Sequence, residues 1–162
     1  MAARAKDDGV PMRGYVSCVT DCPYDGPTPP ESVARVTTLL LDLGCTEVSL
    51  GDTIGAGTPA TVGRMLAAVL GVAPAAKLAG HFHDTKRNAL DNIEASLARG
   101  LLTFDAAAGG LGGCPYAPGA AGNVATGAVV RMLAAKGYAT GIDLAKLDIA
   151  EAFARSLRGP KP

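Results

Sequence analysis

Two histidines one residue apart, in His81-Phe82-His83-Asp84, are the side chains best placed for shared chemistry, and the chain has no others. On a β-strand, alternate residues face the same side, so His81 and His83 project together. Two neutral imidazoles on one side can reach a single metal ion. A hydrogen-bonded pair without metal is the plainer alternative. The second candidate is Ala108-Gly109-Gly110-Leu111-Gly112-Gly113-Cys114-Pro115-Tyr116, which sets Cys114 behind four glycines. Such a loop suits a mobile carrier of a reactive thiol. A phosphate cradle is the competing reading, but no Gly-x-Gly-x-x-Gly joins a strand directly to a helix and no Lys follows the glycines. Asn123, after Gly119-Ala120-Ala121-Gly122, is either a helix N-cap or a carbonyl-oxygen ligand for a metal. Asp52, in Gly51-Asp52-Thr53-Ile54-Gly55, lies at a strand's end, where Asp-Thr also suits a plain turn. Cys22-Pro23-Tyr24 echoes Cys114-Pro115-Tyr116; catalysis is assigned to Cys114 because its loop is the glycine-rich one.

The elements that must position these residues alternate strand and helix. Strands are expected over residues 14–19, 47–50, 77–82 and 101–106. The first helix is expected to be capped by Thr28, with Pro29 at its first position and Glu31 completing a capping box; Gly44 ends it. Thr58-Pro59 opens the second helix, with Val62, Leu66 and Val69 on one face. Leu90, Ile93 and Leu97 mark the third. A fourth helix covers about 124–136, and a last one from near Asp143 carries Leu144, Leu147, Phe153 and Leu157. Alternation of this kind implies a parallel sheet. The apolar, glycine-tolerant strands suit a sheet covered on both faces. Periodicity alone does not choose between an open doubly wound sheet and part of a (βα)8 barrel.

The chain has 162 residues, 48% of them hydrophobic and 19% charged, with zero formal net charge. That length fits a single domain over residues 1–162. The charge balance argues against nucleic acid as a partner, and no apolar run approaches the roughly 20 residues that span a bilayer. The charged start, Met1-Ala2-Ala3-Arg4-Ala5-Lys6, does not resemble a secretory leader. Four cysteines are too few for a disulfide scaffold. Cys18 and Cys45 are expected as buried thiols in a reducing, cytoplasmic setting, and residues 155–161 as a solvated basic tail.

Taken together, Arg13-Gly14-Tyr15-Val16-Ser17-Cys18, the 49–55 and 81–85 segments, the Cys114 loop and Gly119-Ala120-Ala121-Gly122-Asn123 resemble the hydroxymethylglutaryl-CoA lyase family. The resemblance runs from about Arg4 to Leu157. It implies a partial TIM barrel, α/β, made of roughly the last four βα units plus a C-terminal helix. It implies a divalent cation, Mg2+ or Mn2+, and cleavage of 3-hydroxy-3-methylglutaryl-CoA to acetyl-CoA and acetoacetate. By the same resemblance His81, His83 and Asn123 are metal ligands, and Cys114, His81 and Asp52 are catalytic.

The chain departs from the family in Lys86-Arg87-Asn88, where Tyr-Gly-Gln is usual, and at Ala107 and Ala108. It also lacks the family's Arg-Asp-Gly strand, so the chain is expected to begin mid-barrel. Its partners are then an acyl-CoA substrate and either the missing N-terminal half or another copy of itself. Two alternatives remain open: a non-catalytic, self-associating or metal-binding half-barrel, and a condensing enzyme of the isopropylmalate synthase type. Cys114-Pro115-Tyr116 speaks against the latter.

Overall fold

The computed structural model describes residues 2–113 and 122–157. A short helix, α1 (Ala2–Asp7), leads into strand β1 (Arg13–Val16) and a small hairpin of β2 (Asp21–Cys22) and β3 (Gly26–Pro27). Then come α2 (Pro30–Asp42), β4 (Glu47–Asp52), α3 (Pro59–Val69), β5 (Leu78–Phe82), α4 (Ala89–Leu97), β6 (Thr103–Asp105), α5 (Thr126–Ala135) and α6 (Leu144–Ser156). The four long-range strands form one parallel sheet in the order β1-β4-β5-β6, each beside its predecessor in the chain. That order never reverses, so the sheet has no switch point and is singly wound, as in a barrel. Helices α2, α3, α4 and α5 pack each on the next, forming one layer.

Local signals explain most boundaries. Thr58 accepts from the Thr61 amide at 3.3 Å while the Thr61 hydroxyl accepts from the Thr58 amide at 2.8 Å, closing a capping box around Pro59. Val62, Met65, Leu66 and Val69 then bury one helical stripe. At the end of α2, Gly44 takes φ +96 and Cys45 bonds back to Leu40, a left-handed stop that a residue with a Cβ adopts only at a cost.

The start of α2 differs from expectation. Its cap is Pro29, without any side-chain bond, and Pro30 is the first helical residue. A residue before proline is pushed out of the α region, so Pro30 holds Pro29 extended. The amide of Thr28 is used elsewhere, on the Thr20 carbonyl at 2.9 Å. Asn123 is likewise not an N-cap: α5 is entered from Ala125. The first and last strands are shorter than predicted, and Cys18 and Cys45 are half-buried rather than buried. Arg155 belongs to α6 and pairs with Glu151 at 3.2 Å.

In all four strands the even-numbered residues turn to the helices. Val16, Val48, Leu50, Leu78 and Phe82 join Val62, Leu66 and Ile93 in the core, each large side chain worth roughly 1.5–3 kcal/mol of burial. The odd-numbered face carries Arg13, Tyr15, Ser49, His81 and Asp105 instead. The described chain therefore covers one face of the sheet, not both, and Tyr15 on the other face is 58% exposed. In α6 the apolar stripe is also misplaced relative to expectation. Phe153 and Leu157 are exposed while Glu151 is buried, because its carboxylate accepts from the Gly127 amide at 2.7 Å.

Candidate metal centre

His81 and His83 stand on the odd-numbered face of β5 and just beyond it, with ring centroids 5.3 Å apart. Strand alternation puts them on one side, as expected from their spacing. They line a small open pocket of about 150 Å³ with Tyr15, Ser17, Gly51 and Thr53. Larger clefts lie away from the histidines; among the described residues, the one of about 510 Å³ between β6 and α5 has Tyr138 as its sole titratable lining residue. The chemistry of this face is concentrated at the C-terminal strand ends, where parallel α/β proteins build their sites.

The two rings differ in surroundings. His81 is partly exposed and its Nδ1 lies 3.2 Å from Asp105 Oδ2. Asp105 also accepts from Ser49 at 2.8 Å and from Arg13 at 2.7 Å. Burial pushes the Asp105 carboxyl up, but hydrogen bonds from Arg13, Ser49 and His81 and the Arg13 charge outweigh it, holding it below the usual carboxylate range. His83 is buried, and its Nδ1 has no hydrogen-bond partner among the described residues. Burial and the neighbouring His81 both lower its pKa, which favours the neutral imidazole, the form that ligates metal.

Arg13 sits on β1 and Asp105 on β6, the two outer strands of the sheet. In a flat sheet those strands lie about 14 Å apart, at some 4.8 Å per step. Their 2.7 Å contact therefore means that the sheet is curled, with the histidine face concave.

Asn123 reaches the pair through backbone pairing. It forms an antiparallel bridge with His83, flanked by Asp84 N–H to the Gly122 carbonyl at 2.7 Å and Val124 N–H to the Phe82 carbonyl at 3.3 Å. Its Nδ2 donates to the Leu111 carbonyl at 2.9 Å, which leaves Oδ1 as the atom it can offer to a cation. A divalent cation fits this donor set: a buried imidazole nitrogen lacking a partner on His83, Nε2 of His81, and an amide oxygen. Among the described residues no group of three His, Cys, Asp or Glu side chains converges. Cys114 lies outside the described residues.

Asp52 shares the strand edge but not the face. Its side chain is fully buried on the helix side, accepting from Thr20 Oγ1 at 3.0 Å and from the Ala56 and Gly57 amides at 3.2 and 3.0 Å. Burial pushes its pKa up against those bonds. Asp52 thus ties down the turn over residues 52–57. Through that turn it places Thr53, whose Oγ1 accepts from the Cys18 amide at 2.8 Å. The same turn presses Gly55 onto the His83 strand end: a Cβ there would stand 2.8 Å from the His83 carbonyl oxygen.

A family model described as HMGL-like matches residues 1–153. The chain belongs to the HMGL-like family. It is 56% identical over 153 residues to the mitochondrial hydroxymethylglutaryl-CoA lyase of Arabidopsis thaliana, a match covering 94% of this chain and 33% of that protein. The HMG-CoA lyase structure from Brucella melitensis superposes with a TM-score of 0.95 at 61% identity, over 97% of this chain and 56% of that one. An HMG-CoA lyase from Acinetobacter baumannii in complex with coenzyme A and 3-methylmalate gives 0.88 at 35% identity, over 96% and 51%. The chain spans about a third to a half of the length of the curated relatives it matches. With a singly wound parallel sheet, this coverage makes the fold a partial TIM barrel.

In this HMGL-like chain the structure brings together both histidines and Asn123, the candidates drawn from the sequence, and gathers beside them Arg13, Ser49 and Asp105, which were not among those candidates. A signal existed in part. Asp105 follows β-forming Thr103-Phe104 at the alternation that faces it inward. Its partner Arg13 is 92 positions away, and only the curl of the sheet brings them together.

Proposed function

We propose that the chain supplies the metal-binding side of a carbon–carbon lyase acting on 3-hydroxy-3-methylglutaryl-CoA and releasing acetyl-CoA and acetoacetate. The supporting observation is the pair of imidazoles on one concave strand face, each with a nitrogen available, in a chain this similar to HMG-CoA lyases. In this reading His81, His83 and Asn123 hold the cation, Mg2+ or Mn2+, and the coenzyme A thioester enters from the C-terminal ends of the strands. A divalent cation there acidifies the tertiary hydroxyl and orients the substrate's oxygens.

The chain's own residues do the rest. Loss of the hydroxyl proton lets its oxygen form the acetoacetate carbonyl as the C–C bond breaks, and the bond's electron pair passes to the acetyl thioester carbon, which must then gain a proton. Cys114, carried by the glycine-rich loop, is the group for those two transfers, taking the first proton as a thiolate and giving it to the carbon as a thiol; His81 serves through the cation that it holds. Asp52 contributes by fixing the Thr53 turn rather than by touching substrate. The open edges of β1 and β6 are to be covered by the remainder of a barrel; a reducing, cytoplasmic setting suits the half-buried thiols.

The test is acetoacetate formation from 3-hydroxy-3-methylglutaryl-CoA with Mg2+. The chain is assayed alone and mixed with the segment of the Brucella melitensis lyase that it does not cover. No turnover is expected alone, and turnover is expected in the mixture and lost with His83→Ala. A mixture that associates yet forms no acetoacetate overturns the assignment. Favouring the self-associating, non-catalytic reading would take a stable homodimer that excludes the added segment.

A further inference from the structure

The carboxylate of Asp105 is the junction of the concave face, joining all four strands. Oδ1 takes the Arg13 guanidinium from β1 at 2.7 Å, and Oδ2 takes the Ser49 hydroxyl from β4 at 2.8 Å. His81 Nδ1, directly opposite it in register on β5, lies 3.2 Å from the same Oδ2. The Asp105 side chain is only 21% exposed. With an arginine and a hydroxyl already donating, both oxygens are committed, so Asp105 is poorly placed to be a ligand itself. A carboxylate can only accept. The Nδ1 that faces it must therefore carry a proton, and in the neutral form of the ring the lone pair is then on Nε2.

We propose that Asp105 is the positioning residue of the histidine pair: anchored by Arg13 and Ser49, it holds His81 as the Nδ1–H tautomer with Nε2 presented to the cation. This rests on the reading that the two histidines bind metal. His83 differs: its buried Nδ1, the nitrogen it offers to the cation, has no partner among the described residues. His81 is thus pre-set by a carboxylate before any cation arrives. Metal-bound histidines are commonly held this way, and loss of the holding carboxylate typically weakens metal binding about 10- to 100-fold.

The tautomer can be read in the metal-free full chain by long-range 1H–15N correlation at neutral pH. His81 is expected to show a protonated Nδ1 and an unprotonated Nε2 in the wild type. Asp105→Ala should shift it toward the Nε2–H form favoured in water, and Asp105→Asn, which keeps an acceptor oxygen in place, should restore it. Mn2+ titrated by calorimetry should bind about 10-fold more weakly or worse to Asp105→Ala, with most of the affinity regained in Asp105→Asn. A wild-type His81 protonated on Nε2 overturns the proposal, whether or not any variant folds. Equal Mn2+ affinity in wild type and Asp105→Ala also overturns it and leaves the metal reading intact. A wild type with the expected tautomer that takes up no Mn2+ supports the positioning role and defeats the metal reading instead.

Discussion

Replacing Asp52 with alanine tests the claim that this residue braces the turn beneath the site. Its carboxylate accepts from the Ala56 and Gly57 amides and from Thr20 Oγ1. The hydroxyl can rotate to another partner, but the two backbone amides cannot. Each buried donor left unsatisfied costs about 1–3 kcal/mol. The loss is offset in part, because a fully buried carboxylate no longer has to be kept ionised, which burial disfavours. A net loss of about 2–4 kcal/mol is expected, a large share of the roughly 5–15 kcal/mol that stabilises a typical domain. Urea unfolding followed by far-UV circular dichroism measures it. The wild type should also show a pH signature. Burial raises the Asp52 pKa, so between the ordinary carboxylate range and that raised value the folded chain keeps a proton that the unfolded chain has released. Stability then falls as pH rises through this window, and the fall disappears in Asp52→Ala. An Asp52→Ala chain within about 0.5 kcal/mol of wild type, the range of an ordinary surface change, would refute the bracing role.

Glu151 should behave in the opposite sense. Burial raises its pKa, but bonds from the Gly127 and Gly109 amides and from Arg155 outweigh it and lower it overall. Its contribution is therefore present above the ordinary carboxylate range and lost as pH falls toward the depressed value. Glu151→Gln should unfold about 1 kcal/mol more easily at neutral pH, and its acid unfolding curve should be shallower than the wild type's. Gly55→Ala places a Cβ 2.7 Å from Thr85 Oγ1 and 2.8 Å from the His83 carbonyl at φ +63; a loss of about 2 kcal/mol or more in thermal unfolding is expected. Arg87 holds φ +59, so Arg87→Gly should stabilise the fold by up to about 1 kcal/mol, relieved strain less glycine's greater freedom when unfolded, and raise the melting temperature. A lower melting temperature would mean that the arginine side chain contributes more than its backbone costs.

Short-range sequence patterns account for the alternation of strands and helices, the pairing of His81 with His83, and the capping of α3. Each follows from interactions within a few residues: a period of two, a Thr-Pro start, a stripe of Val62, Leu66 and Val69. Their errors were local competitions decided by backbone geometry, as where Pro30 displaced Thr28 as the organiser of α2. Tertiary structure alone decided three matters. It turned Asp52 away from the histidines, because even-numbered residues face the helices. It drew a buried glutamate, Glu151, into a helix face that the pattern reads as apolar, because the α5 entrance needed an acceptor. It also joined Arg13 to Asp105 beside His81 by curling the sheet. Curvature accumulates over four strands through twist and packing, and no short stretch of sequence encodes which distant side chains it brings into contact.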